Sequence, residues 1–297
     1  MALSLPGVRG WGELSPTLGA APVEWVPLFR LAAMEEARQG DLCVLTARSS
    51  ALQIRACQAQ VLVGTAAQFR LWVENPHQIF LVVNEPPQAF VELLEGPCRP
   101  SVDSEDWMEE RELLDRFGVF ARTATVHRSA SIGEKVVIGA GAVVHPRVRL
   151  ADGVHIGEGS VVGAAGFGLV KAQGRTKHLP HWAGVEIGEG SWIGPQCQIS
   201  AGLLSPTRIG RDCHLDAQIQ VGHNSQVGDG CVLAGQSGLA GSVVLGRQCL
   251  LGGQVGVSDH VQLGDRCVVA ARAGVTRSWP PETVLRGFPA RPGIARG

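Results

Sequence analysis

The chain has no tyrosine, and Phe and Trp together make up only 5% of its 297 residues. So few rings exclude a core built on aromatic packing and leave aliphatic side chains to fill it. Charge is scarce as well, at 18% of residues, with 26 Lys+Arg against 27 Asp+Glu. A net charge of −1 supplies no basic footprint for a nucleic-acid backbone. No apolar run approaches the roughly 18 residues of a membrane-spanning helix. The start, Met1-Ala2-Leu3-Ser4-Leu5-Pro6, lacks the basic and long apolar regions of a secretory leader. A cytoplasmic protein with no integral membrane segment is therefore expected. The eight Cys contain no Cys-x-x-Cys pair, which excludes the common zinc-ribbon patterns, and no metal is expected.

Glycine is abundant: 39 residues, nearly twice the average usage of about 7%. It recurs inside a repeat. From Val126 to Val162 an aliphatic residue heads every sixth position, and the pattern resumes from Ile187 to Ile199 and again from Ile209 to Val275. All 22 heads are Val, Ile or Leu, and the next residue is usually Gly, Ala or Ser. A period of six fits neither a helix nor an alternating strand. It fits a solenoid in which each hexad is one short strand and one corner, the aliphatic head points inward, and the small residue beside it lets the chain turn. Three hexads make a triangular coil of 18 residues, so about seven coils are expected, stacked at about 4.8 Å.

That period sorts the cysteines. Cys213, Cys231, Cys249 and Cys267 are 18 apart and hold the fifth place of their hexads, as Cys197 does in its own. A ladder of small buried hydrophobes is the expectation, with free thiols rather than metal or redox chemistry. Residues 1–100 show no hexads. Ala59–Val63 and Ile79–Val83 read as strands, and Pro27–Arg38 and Pro87–Leu94 as helices, so a small α/β domain is expected. Asp103–Arg116 holds seven acidic residues and two Arg, with Trp107, Leu114 and Phe117 at helical spacing, and reads as an acidic connecting helix within 101–121. The solenoid occupies 122–281 and a tail 282–297.

The repeat also places chemistry. The hexads of His223 and His260 have heads 36 apart, two whole coils, so both His belong to one corner about 10 Å apart along the axis. Gly241, 18 residues after His223, falls on the adjacent rung. A histidine base with a glycine N–H one rung away is a geometry for acyl transfer to an amine: the His takes the proton and the N–H holds the oxyanion. The interruption from Gly168 to Glu186 reads as a long loop carrying Lys171, Arg175, Lys177, His178 and His181, either a solvated lysine-rich loop or one that reaches a neighbouring subunit's phosphate or donor. A zinc site at His178 and His181 has no third ligand and is set aside, together with a carbonic-anhydrase-like reading.

The segments Ile219–Asn224, Leu239–Ser242 and Gly252–His260 resemble the UDP-3-O-(3-hydroxyacyl)glucosamine N-acyltransferases of lipid A biosynthesis, in the hexapeptide-repeat acyltransferase superfamily. So do Gly166-Phe167-Gly168, Lys177–Pro180, Gly287–Pro292 and, more loosely, Gly40-Asp41-Leu42 and Val83–Pro86. The resemblance implies a homotrimeric left-handed parallel β-helix. It implies transfer of an acyl chain from acyl carrier protein to the 2-amine of a UDP-linked glucosamine. No bound cofactor is implied, only a thioester donor, acyl carrier protein phosphopantetheine or CoA. It assigns His223 as general base, Gly241 as oxyanion donor, His260 as a substrate-binding His and Asp216 as an acidic position near the base. The chain also departs from the family. Val44, Ala47 and Ser50 stand where uridine-pocket aromatics and an Asn are usual. Ala165 precedes Gly-Phe-Gly in place of Asp, Ser200-Ala201 replaces Asp-Arg, and Ala217 replaces an Asn. Two other readings remain open: an acetyl-CoA-dependent enzyme acting on another nucleotide sugar, and a non-catalytic trimeric binding or scaffold protein.

Overall fold

An uninterrupted coil returns to the same face after 18 residues. Val221 pairs in parallel register with Leu239, Leu239 with Val257, and Val257 with Val275. This is a computed structural model, and it describes residues 3–4, 30–32, 34, 37–39, 41–45, 49–72, 78–95, 106–109, 112, 121, 123–172 and 174–293. Three sheets of seven, nine and eight strands wrap one axis as the left-handed parallel β-helix expected from the repeat and its resemblance. Most strands are two residues long: one outward side chain, then the buried aliphatic head, as in Gln220–Val221 and Leu250–Leu251. The heads and the five repeat cysteines form one continuous core, most of them at most 2% exposed.

The structure moves the turn within the hexad. The residue with left-handed backbone is the fourth, not the second: φ is +59° at Gln218, +61° at Asn224 and +58° at His260. The second place is small because the coils are close. A Cβ on Gly188 would lie 2.6 Å from the Gly210 carbonyl, and one on Gly222 2.5 Å from that of Ala240. The fifth place closes the corner, where Ser225 Oγ donates to Ala240 O at 3.0 Å and Cys231 Sγ to Gly246 O at 3.1 Å. Each buried hydroxyl or thiol thereby satisfies a carbonyl of the next coil. The cysteines are free and buried, as the ladder reading requires.

The outward residues give the three faces different characters. The seven-stranded sheet presents Glu186, Arg208, Gln226 and Gln262. The nine-stranded sheet presents Trp192, His214, Val232, Leu250 and Val268, a stripe in which Leu250 is 47% exposed. The eight-stranded sheet presents Gln220 and then Gly238, Gly256 and Gly274, a floor with almost no side chains. Along one edge of this floor, fourth-place amides bond rung to rung. Gln218 Nε2 donates to Gln196 Oε1, Gln236 to Gln218 and Gln254 to Gln236, at 2.7–3.0 Å, and Arg272 Nε closes the series on Gln254 Oε1 at 2.9 Å.

The chain divides into two compact units, Met1–Ser101 with Gly168–Pro180, and Val102–Phe167 with His181–Gly297. The first carries a sheet ordered β1 (Leu3–Ser4), β2 (Arg30–Leu31), β3 (Asp41–Val44), β4 (Val61–Gly64) and β5 (Ile79–Val82). Among the described residues its helices are α1 (Ala51–Ala56), α2 (Ala66–Phe69) and α3 (Pro86–Glu95). Both strands and the second helix read from the sequence are present. Of the helix read over Pro27–Arg38, nothing is found among the described residues of that stretch. Arg30 and Leu31 lie in a strand, parallel to β3 and antiparallel to β1, because sheet pairing outweighs a weak helical pattern. Most of the acidic segment lies outside the described residues. Trp107 bridges antiparallel to His127 instead of continuing a helix, and Arg128 pairs with Asp106 and Glu112. The interruption at 168–186 is also not a loop. Leu169–Ala172 and Arg175–His178 form an antiparallel hairpin that packs on α3.

Candidate functional site

His223 follows the buried head Val221 by two residues and so leaves the solenoid at the corner after the eight-stranded sheet. Three features fix its ring. Its Nδ1 lies 3.1 Å from Asn224 Oδ1. That oxygen already accepts from the Leu203 N–H at 3.1 Å, while Asn224 Nδ2 donates to Ser205 O at 2.9 Å, so the carboxamide has one orientation. An oxygen can only accept, so Nδ1 carries the hydrogen and Nε2 is left as the basic nitrogen.

That nitrogen faces Gly241. A Cβ on Gly241 would sit 2.6 Å from His223 Nε2, and one on Gly166 would sit 2.6 Å from His223 Cβ. Glycine at both positions is therefore what gives the imidazole its room. The ring of His181 lies 4.9 Å from that of His223, centroid to centroid, at 60°. In the corner after the seven-stranded sheet, the third-place N–H groups of Arg211 and Arg247 are capped at 2.8 Å by Asp229 and Asp265. Among the described residues nothing accepts from the Gly241 N–H, so it remains an open donor beside His223 Nε2.

The ladder continues to His260, whose N–H donates to Gly241 O at 3.1 Å, and Ser242 N donates to His223 O at 2.8 Å. His223, Gly241 and His260 thus occupy successive rungs of one corner, as the period predicts, and His260 is exposed. Asp216 is not brought to them within one chain. Its hexad head precedes that of His223 by six residues, a third of a coil, and its Oδ2 accepts from the Gly235 N–H at 3.0 Å at another corner. Sequence reasoning gave Asn224 no role and read His181 as part of the interruption, not as a neighbour of His223. Asn224 is the immediate neighbour of His223, and its polar side chain at a fourth place was the available signal. His181 had none beyond its place at the end of an interruption.

Beside this corner lies a groove of about 520 Å³ over the glycine floor. Gly238, Leu239 and Ala240 line it next to Gly241, and Phe288 lines it at the other end, lying across Gly274 and 82% exposed. In the first unit, Ser50 is the N-cap of α1, in a reciprocal capping box with Gln53. Its hydroxyl is thereby committed to the helix. Val44 ends β3, and Ala47 lies outside the described residues. Among the described residues no three His, Cys, Asp or Glu side chains gather as a metal site, and no helix is long and apolar enough to cross a membrane.

Two family models match the solenoid: bacterial transferase hexapeptide (six repeats) over residues 129–164, and hexapeptide repeat of succinyl-transferase over 242–276. A UDP-3-O-acylglucosamine N-acyltransferase of Leptospira biflexa is 42% identical over 27% of this chain and 22% of its own length. One of Pseudomonas savastanoi is 34% identical over 39% of this chain and 42% of its own length. The UDP-N-acetylglucosamine acyltransferase of Campylobacter jejuni shares the fold with a TM-score of 0.53 and 25% identity, over 59% of this chain and 66% of that one. The aligned stretches thus span between 22% and 42% of these two curated relatives' own length.

Proposed function

We propose that this chain is an acyltransferase that moves an acyl group from a thioester to the 2-amine of a UDP-linked glucosamine, the acceptor named in its relatives. The observation that carries the proposal is the pairing of His223 Nε2, held as a base through Nδ1 and Asn224, with the open N–H of Gly241 on the next rung. The amine nitrogen attacks the thioester carbonyl and its proton passes to Nε2. The carbonyl oxygen becomes an oxyanion held by the Gly241 N–H. As the C–S bond breaks, the sulfur leaves as a thiolate and takes the proton from Nε2, which restores the base and yields amide and thiol. A positioned base contributes about 10²- to 10⁴-fold, and one oxyanion donor about 10²- to 10³-fold.

The groove fits the donor in this reading. Its glycine floor leaves width for an extended chain beside the base, and Phe288 closes the far end. Acyl carrier protein phosphopantetheine and CoA are the two candidate thioester carriers. His260, exposed one rung beyond Gly241, is assigned to the sugar or its phosphates. The apolar stripe Val232, Leu250, Val268 is assigned to contact with further copies of the chain in a homotrimer, since such a stripe is costly to leave in water.

Mass spectrometry of turnover tests the proposal. The protein is mixed with acyl-carrier-protein and CoA thioesters of several chain lengths and with UDP-linked 2-amino sugars. An amide product is expected, and it should fall by at least about 100-fold in His223→Ala. Undiminished turnover in that variant refutes the mechanism, and no product from any combination with a folded protein refutes the function.

A further inference from the structure

We propose that His181 is a positioning residue for His223, holding the imidazole so that Nε2 stays aimed at Gly241. The proposal rests on the acyl-transfer reading above only for its kinetic readout. His181 is 7% exposed, and its ring lies 4.9 Å from that of His223. It stands outside the hexads, so the repeat does not dictate its place.

Its chain is held by a clip instead. Trp182 N donates to Leu203 O at 3.2 Å and Ala183 N to Gly202 O at 3.0 Å, while Arg147 Nη1 donates to Trp182 O at 2.7 Å. Leu203 in turn donates its own N–H to Asn224 Oδ1. The paired segments at the isolated bridge Gly184–Gly202, which carry His181, therefore also carry the donor that orients the Nδ1 partner of His223. Gly166 borders the same side chain, where an added Cβ would lie 2.6 Å from His223 Cβ and 3.1 Å from its Cδ2. The Gly168–Pro180 hairpin leaves the solenoid just after Gly166-Phe167 and re-enters at His181. Gly166 and His181, both in the solenoid unit, are thus the two jaws on the imidazole.

The physical need for such jaws is clear. The torsion that spins an imidazole is broad and two-fold, so one hydrogen bond at Nδ1 leaves the ring free to librate. A reacting group displaced by about 1 Å loses about 100-fold in rate. The tilted His181 ring and the Gly166 backbone remove that freedom, and only the Nε2 edge is left open.

The test compares His181→Ala and His181→Phe in the full chain. His181→Ala is expected to lower kcat by about 10- to 100-fold with KM within about threefold, and His181→Phe to restore kcat to within about threefold of the parent. Independently of turnover, ¹⁵N NMR of the His223 ring should show one Nδ1–H tautomer in the parent and a mixture in His181→Ala. If the alanine variant does not fold, His181→Gln, of similar length but without a ring, replaces it. Unchanged kcat in His181→Ala, a phenylalanine variant as slow as the alanine one, or an unchanged tautomer would each overturn the proposal. If the parent shows no turnover, the acyl-transfer reading fails, while the tautomer measurement still decides the role of His181.

Discussion

Gly241→Ala is the sharpest perturbation of the candidate site because it keeps one partner and evicts the other. Gly241 has no left-handed backbone, so alanine fits its φ without strain, and its N–H stays in place. The new methyl would stand 2.6 Å from His223 Nε2 and 2.8 Å from Cε1, closer than any real Cβ contact. The imidazole must rotate away, which breaks its bond to Asn224 Oδ1 or turns Nε2 from the rung where the oxyanion forms. Losing the base costs about 10²- to 10⁴-fold, or about 3–5.5 kcal/mol of transition-state stabilisation. The fold should lose at most about 1–3 kcal/mol, the range for an extra methyl in a packed site, and less if the half-buried ring swings into solvent. Turnover of Gly241→Ala, His223→Ala and the double variant would be measured alongside thermal melts. Both single variants should be slow to a similar degree, and the double variant no slower, since both remove the same base. A Gly241→Ala protein within about threefold of the parent would show that Nε2 is not the working nitrogen.

Acid should loosen the N-terminal end of the solenoid. Burial, reinforced by His127, holds the His145 pKa below its ordinary value of 6.5, and Trp107 packs edge-on against both rings. A depressed histidine pKa means that the folded state prefers the neutral ring. Its stabilisation is full above pH 6.5 and drains as pH falls from there toward the folded pKa. Urea midpoints at pH 7.5 and pH 5 should differ, and His145→Phe should shrink the difference; an equal pH dependence in that variant would refute this. The amide ladder gives an opposite ranking of two small residues. Gln236→Ala removes two side-chain bonds and keeps a Cβ at φ +62°, whereas Gln236→Gly removes the bonds and relieves the backbone. Thermal melts should place the glycine variant about 0.5–1 kcal/mol above the alanine one, and the reverse order would count against strain at the fourth place.

Register arithmetic on the sequence was enough to put His223, Gly241 and His260 on successive rungs and to stack the cysteines, because a period of 18 leaves no freedom along the axis. The same arithmetic separates Asp216 from His223 by a third of a coil, a consequence that family likeness obscured. The turn within the hexad was not legible. Gly141, Gly153, Gly159, Gly190 and Gly230 mark the fourth place, but glycine at the second place is more frequent and masks them, and Gln, Asn, His and Arg hold the fourth place elsewhere with the same left-handed backbone. His181 and Leu203 were out of reach for a related reason. They lie in the interruptions, where no period relates sequence distance to space.

The hairpin between Gly168 and Pro180 also fixes an order of assembly on the ribosome. The first unit needs it, since α3 packs against Leu169–Ala172 and Ala172 is buried. Yet α3 ends at Glu95, and the hairpin is made only after about 70 further residues, a delay of roughly 4–14 s at ordinary elongation rates. In that interval the first two coils of the solenoid emerge while the earlier domain is still missing a piece of its surface. A truncation that ends the chain before residue 168, or a nascent chain stalled there, would expose that apolar face to chaperones and proteases even with residues 1–100 intact.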